Sequence, residues 1–268
     1  MILYTKEQLI EKMREIFKQG WHRSVKRTID RRNDGAVGNT LETLLGIDEN
    51  NLPIPNVQEW ELKGQRAHTT SLITLKHSEP SPRAARIVPK ILLPLYGWRH
   101  DQAGIKYPET EMSFRSTTSA KSFTSRGFKI IVDRSQTKLR FIFDSSQVDV
   151  AKPQIMEWLR TVEERVGLGP LDPEPYWGFK DLNYAIGEKI RNCFYVIAES
   201  NVDQGREYFH FRELHILNGF SFERFLSCLE DGTVFVDFDA RTGHNHGTKF
   251  RIQQGSWSKL YSQVQRAI

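Results

Sequence analysis

The spacing of apolar positions changes several times along the chain, and each change marks an element. Leu9, Ile10, Met13, Ile16 and Phe17 recur at helical spacing, which predicts an amphipathic helix over 6–19. A basic stretch follows (His22, Arg23, Lys26, Arg27, Arg31, Arg32), and Asn33-Asp34-Gly35 signals a turn. Leu41, Leu44 and Leu45 predict a short helix from about Val37, with Gly46 as its C-cap. Residues 50–55 carry Pro53 and Pro55, which forbid both helix and central strand, so they read as a loop. Over 57–63, Trp60 and Leu62 alternate with charged neighbours as in a half-buried strand, and 72–76 reads as the next strand. Residues 80–122 are rich in Pro, Ser, Thr and Gly and are expected to be irregular, with a short strand at 91–93.

Beyond these, 128–132 and 139–143 flank a polar turn and predict a hairpin, and 153–166 reads as a helix. Residues 167–175 hold three prolines and two glycines, a boundary between lobes. Then come a helix near 178–191, strands near 193–198 and 206–212, and a helix capped by Ser221. A strand at 233–239 and a last helix over 256–266 complete the chain. Helices mixed with hairpin-forming strands predict an α/β or α+β class.

Composition narrows the function. Thirty-eight Lys and Arg against 33 Asp and Glu leave a formal charge of +5 over 268 residues, a mild pointer to a polyanionic partner. The basic residues are scattered, which argues against a disordered basic arm. The longest apolar run, 91–95, is broken by Pro94 and far too short for a membrane-spanning helix. The N-terminus lacks the apolar stretch of a signal peptide. Cys193 and Cys228 support neither a zinc finger nor a disulfide framework, so a cytoplasmic location is expected.

The chemistry-bearing pattern is Glu61-Leu62-Lys63. On a strand, residues two apart share a face, so Glu61 and Lys63 project together, away from the side of Trp60 and Leu62. A carboxylate beside a lysine suits phosphodiester hydrolysis: the acid holds a divalent metal and the lysine orients or deprotonates the attacking water. Near the C-terminus, Val234, Val236 and Phe238 alternate with Phe235, Asp237 and Asp239, and Arg241 continues the polar parity. After a turn at Gly243, Phe250 and Ile252 alternate with Lys249 and Arg251. Arginine pairs bidentately with guanine and aspartate accepts from the cytosine amino group, so such a ribbon suits reading G·C pairs. His77, His244 and His246 are further candidates for contacting DNA. The competing reading is a surface hairpin of paired charges.

The stretch Gly35-Ala-Val-Gly38-Asn-Thr-Leu-Glu42-Thr-Leu-Leu-Gly46, the loop from Asn51 to Pro55, and Glu61-Leu62-Lys63 together resemble the MvaI/BcnI restriction endonuclease family and, more distantly, the MutH mismatch-repair nickase. Phe238-Asp239-Ala-Arg241 and His244-Asn-His246-Gly-Thr-Lys249-Phe-Arg251 resemble the former family's base-reading segment. The resemblance implies a restriction-endonuclease-like (PD-(D/E)XK) mixed-sheet core flanked by helices, with a second DNA-recognition lobe forming a cleft. It implies a catalytic lobe over 1–168 and a recognition lobe over 169–268. It also implies Mg²⁺-dependent cleavage of double-stranded DNA at a short, nearly palindromic, G·C-rich site by a monomer cutting the strands in turn, with a cognate methyltransferase in the same system. The implied catalytic residues are Glu42, Asn56, Glu61 and Lys63, of which Asn56 and Glu61 hold the metal. The family pattern has Asp where this chain has Asn56; a neutral amide oxygen can coordinate Mg²⁺ but contributes no charge. A methyl-directed nickase and a DNA-binding module without catalysis remain the alternatives.

Overall fold

The computed structural model describes residues 4–26, 35–47 and 59–268. Helix α1 (Lys6–Lys18) opens on a capping box, in which the Thr5 hydroxyl accepts from the Gln8 N–H and the Gln8 side chain accepts from the Thr5 N–H. After strand β1 (Trp21–Arg23), helix α2 (Ala36–Leu44) ends as its glycine predicts. Gly46 adopts φ +69°, its N–H donates to the Thr43 carbonyl, and the Ile47 N–H donates to the Glu42 carbonyl. Asn33 and Asp34 of the expected turn, the loop over 50–55, Asn56, and residues 57 and 58 of the expected strand lie outside the described residues.

The remaining elements are β2 (Trp60–Arg66), β3 (Ile73–His77), α3 (Leu93–Tyr96), β4 (Trp98–Arg99), β5 (Met112–Thr118), β6 (Arg126–Asp133), β7 (Lys138–Val148), α4 (Pro153–Val166), β8 (Tyr176–Gly178), α5 (Phe179–Ile190), β9 (Asn192–Asp203), β10 (Arg206–Phe220), α6 (Phe222–Glu230), β11 (Val234–Arg241), β12 (His244–Ile252) and β13 (Tyr261–Arg266). The hairpin, α4, α5 and the Ser221-capped α6 stand where periodicity predicts them. No helix among the described residues is long and apolar enough to cross a membrane.

Three expectations are corrected. Residues 80–122 are not irregular, and 91–93 is not a strand: a π-helical turn over Val88–Leu92 runs into α3 and buries Val88, Leu92, Leu93 and Tyr96. A short apolar run does not distinguish strand from helix, and Pro94 sits in the first turn of α3, where its missing N–H costs nothing. Within the same region β5 pairs with both β4 and β11; its buried positions Ser113, Ser116 and Thr118 are polar and hide the alternation. Residues 256–266 do not form a helix. Trp257–Leu260 is a 3-10 turn and β13 pairs antiparallel with β10, so a backbone ladder overrides a spacing that also suits a helix.

The third correction is the division at 168. The chain forms two compact units that interleave in sequence: 1–73, 185–224 and 253–268 make one, 74–184 and 225–252 the other. Strand pairing is the reason. In the first unit β9, β10 and β13 join β1 and β2 in one sheet, ordered β1-β10-β9-β2 with β13 also on β10, and β2 runs parallel to β9. In the second unit the β11–β12 hairpin joins β3, β5 and β4 in the order β3-β12-β11-β5-β4, and β6, β7 and β8 form a second sheet. Phe114, Phe141 and Phe238 fill the core of this unit, with Phe141 and Phe238 rings 4.5 Å apart.

In the first unit Trp60 and Leu62 pack with Leu9, Met13, Val37 and Leu41, so α1 and α2 cover one face of β2. Trp60 stacks on Phe194 at 4.4 Å. Gly64 lets α2 approach: a Cβ there would lie 2.8 Å from Val37 Cγ1 and 3.2 Å from the Gly38 nitrogen. Gly64→Ala is therefore expected to cost about 1–3 kcal/mol in denaturant unfolding, by pushing α2 off the strand. An unchanged midpoint would show that the helix has room to move.

Candidate active site

The face of β2 opposite α1 and α2 carries Glu61 and Lys63. The parallel register sets Glu61 beside Cys193 and Lys63 beside Tyr195 on β9. Glu61 is only 2% exposed. Its Oε1 lies 2.7 Å from Lys63 Nζ and 3.5 Å from Lys189 Nζ, and its Oε2 has no hydrogen-bond partner among the described residues. A buried carboxylate needs such partners, because removing an ion from water costs several kcal/mol. Both lysines sit on the Oε1 side of the carboxylate, where they can also meet a phosphate.

The groups behind this cluster stay neutral. Burial raises the Cys193 pKa, and the charge of Glu61 raises it further. Tyr261 is raised by burial and then by Cys193 and Glu61, while its hydroxyl donates to the Ile190 carbonyl at 2.9 Å. That bond ties β13 to the end of α5, the turn that delivers Lys189. Glu42 lies on α2, half-buried, in the helix that covers the other face of β2.

In the second unit the alternation of β11 and β12 holds: Val234, Val236, Phe238, Phe250 and Ile252 are buried, while Asp237, Asp239, Arg241, Lys249 and Arg251 share the other face. These charges are paired. Arg251 Nη1 lies 3.2 Å from Asp237 Oδ2, Lys249 Nζ 3.3 Å from Asp239 Oδ2, and Arg241 Nη1 2.9 Å from Glu111 Oε1. Strand β5 extends the lattice: Arg115 Nε donates to Asp239 Oδ1 at 3.0 Å and the Thr117 hydroxyl to Asp237 Oδ1 at 2.8 Å. Arg241 also lies 4.6 Å from the Tyr107 ring. Burial pushes the Asp239 carboxyl up, but Lys249 and Arg115 outweigh it and hold the group below its ordinary range. His246, whose ring lies 4.1 Å from that of His244, has a lowered pKa. Burial is the main cause, opposed by Asp239. His77 ends β3 beside the hairpin tip, where Gly247 at φ +83° leaves room for its ring.

A family model for the MvaI/BcnI restriction endonuclease family matches residues 10–261. The chain belongs to that family. As an MvaI/BcnI-type restriction endonuclease it is a site-specific deoxyribonuclease. Among solved structures it is similar to one described as a complex of restriction endonuclease MvaI with cognate DNA substrate, at TM-score 0.75 and 20% identity over 99% of this chain and 100% of that one. It is also similar to MvaI without DNA, at TM-score 0.51 and 21% identity over the whole of both chains. These likenesses establish the restriction-endonuclease-like fold. No curated protein matches the chain.

The endonuclease structure thus brings Glu61 and Lys63 together, and gathers His77, Asp237, Asp239, Arg241, His244, His246, Lys249 and Arg251 on one sheet of the other unit. Sequence reasoning missed Lys189, Arg115, Glu111 and Tyr107. Lys189 carries no motif and meets Glu61 only through the β2–β9 pairing. Arg115 could have been found from its place between Phe114 and Ser116 had β5 been read as a strand. Lys189→Met is expected to slow single-turnover cleavage by about tenfold to a hundredfold, since it removes a fixed charge beside Glu61, with duplex affinity nearly unchanged. A wild-type rate would reduce Lys189 to a packing role.

Proposed function

We propose that this endonuclease is a type II enzyme that uses Mg²⁺ to hydrolyse both strands of duplex DNA at a short, nearly palindromic, G·C-rich site. It acts in the cytoplasm as a monomer that cuts the strands in turn, and a cognate methyltransferase protects the same sequence. The first unit hydrolyses; the sheet of the second reads bases. The observation that carries the reading is the buried Glu61 carboxylate, flanked by two lysines with one oxygen left without a partner among the described residues.

That oxygen fits a hard divalent cation, which takes carboxylate and amide oxygens. Glu61 would hold the ion, with Asn56 as the second ligand from the sequence pattern. When bound, Mg²⁺ supplies Lewis-acid polarisation of the scissile phosphate. Lys63, held by Glu61, orients the attacking water, whose proton passes to solvent as the oxygen bonds to phosphorus. Lys189 offsets the negative charge that develops on the phosphate oxygens. The water oxygen bonds to phosphorus as the P–O3′ bond breaks, and the departing oxygen takes up a proton. The products are a 5′-phosphate and a 3′-hydroxyl.

In the reading sheet, Asp237 and Asp239 hold Arg251 and Lys249 in place. An arginine carries five N–H donors, so one ion pair sets its plane while other donors address a guanine.

Incubation of supercoiled plasmid with Mg²⁺ should yield linear product with 5′-phosphate ends that share one short G·C-rich sequence, and EDTA should block it. Asn56→Asp should cut faster, because it adds an anionic ligand. Cutting insensitive to EDTA, or nicks confined to hemimethylated duplex, would overturn the reading. Arg241→Met and Arg251→Met should each lose about 1–3 kcal/mol of discrimination at one base pair in competition against single-base-substituted duplexes. Unchanged preference profiles in both would leave the sheet a plain surface of paired charges.

A further inference from the structure

The second unit contains a cleft of about 660 Å³ that hydrolysis does not use and that meets the paired lattice at Arg115. Its wall is a stack: the Arg126 guanidinium lies 3.9 Å from the Trp98 ring centroid and 5.4 Å from that of Trp158, and the two rings meet edge-on at 6.5 Å. Burial lowers the Arg126 pKa, with Asp101 acting against it, and its Nε has no hydrogen-bond partner among the described residues. His100 lines the same cleft and is 5% exposed. Its Nδ1 accepts the Gln102 N–H at 2.9 Å, which places the ring proton on Nε2, and Nε2 too has no partner. Arg99, Arg115 and Arg165 complete a lining whose acids are Asp101 and Glu157.

Buried donors left open are costly, and native proteins leave few of them. Two such donors in a cationic cleft ask for an oxyanion, and a planar guanidinium held over the Trp98 ring and beside Trp158 matches phosphate oxygens. Arg115 says which phosphate. It lines this cleft and also pairs with Asp239 of the reading sheet, so an anion held here lies next to the bound duplex. We propose that the Arg126–His100 cleft clamps one backbone phosphate of the DNA flanking the bases that the sheet reads. The proposal rests on the reading of this sheet as the DNA-recognition surface.

The test is binding of the cognate duplex across a salt titration, with Arg126→Met keeping an apolar side chain against both rings without charge or Nε–H. The slope of log affinity against log salt should fall by about 0.9, the value for one lost phosphate contact, with base preference unchanged. Arg126→Lys should restore the slope. Duplexes carrying a single neutral methylphosphonate should reveal one position where wild type loses affinity and Arg126→Met does not. If Arg126→Met does not fold, His100→Asn takes its place in the methylphosphonate scan and should be insensitive at the same position. A folded variant that still selects its site, with the wild-type slope and the wild-type response at every linkage, overturns the clamp and leaves the reading sheet intact. Inorganic phosphate bound by wild type but not by Arg126→Met, with no change of slope, also overturns it, by making the ligand a free anion. Loss of base preference on Arg241→Met and Arg251→Met fails to appear only if the sheet itself has been misread, and that failure is seen separately.

Discussion

A charge buried at 2% exposure must be compensated within a few ångströms, and the first unit is arranged to do this for Glu61. Lys63 comes from two residues along the same strand. Lys189 comes from the last turn of α5, and it arrives only because β9, which follows that helix, runs parallel to β2. The helices α1 and α2 take the other face of β2, where Gly64 admits α2 closely, so the polar face owes its rigidity to an apolar core it never touches. Cys193 and Tyr261 supply neutral packing behind the carboxylate. What remains open is one oxygen, aimed by construction rather than by a flexible chain.

The second unit solves a different electrostatic problem. The sheet proposed to read bases concentrates cations, and unpaired cations on neighbouring strands would repel. Asp237 and Asp239 each bridge β5 and β12: Asp239 lies between Arg115 and Lys249, and Asp237 between the Thr117 hydroxyl and Arg251. Pairs of this kind contribute little to stability where exposed. Their value lies in orientation: a guanidinium held by a carboxylate loses less freedom on meeting a base than one free to sweep through solvent. The lowered carboxyl of Asp239 is consistent with that arrangement, since it keeps its charge through the physiological range.

Much of this was legible in the residues alone. The parity of Glu61 and Lys63, the alternation of β11 and β12, the Gly46 cap and the period of α1 and α4 follow from local geometry, and the local geometry survives in the fold. The misses share a cause. Strand β5 buries Ser and Thr, so hydrophobicity does not mark it; β13 has spacing that also fits a helix; and α3 is a short apolar run around a proline. Lys189 and Arg115 act through partners on strands distant in sequence, which no local pattern encodes. The interleaving of the two units is likewise a product of strand pairing, which overrides the proline-rich stretch at 167–175. Asn56, the second ligand of the pattern, lies outside the described residues.

Glu61 is proposed as the carboxylate that holds the divalent ion on which cleavage depends. The direct measurement is calorimetric titration of Mg²⁺ or Mn²⁺ into wild type and Glu61→Gln, each with its cleavage rate and cognate-duplex affinity. The amide is nearly isosteric and uncharged, so cation binding should weaken and cleavage should be lost, with duplex affinity kept within about tenfold because the second unit and the phosphate contacts carry it. Glu61→Gln that binds the ion and cuts at close to the wild-type rate would show that the ion is held elsewhere.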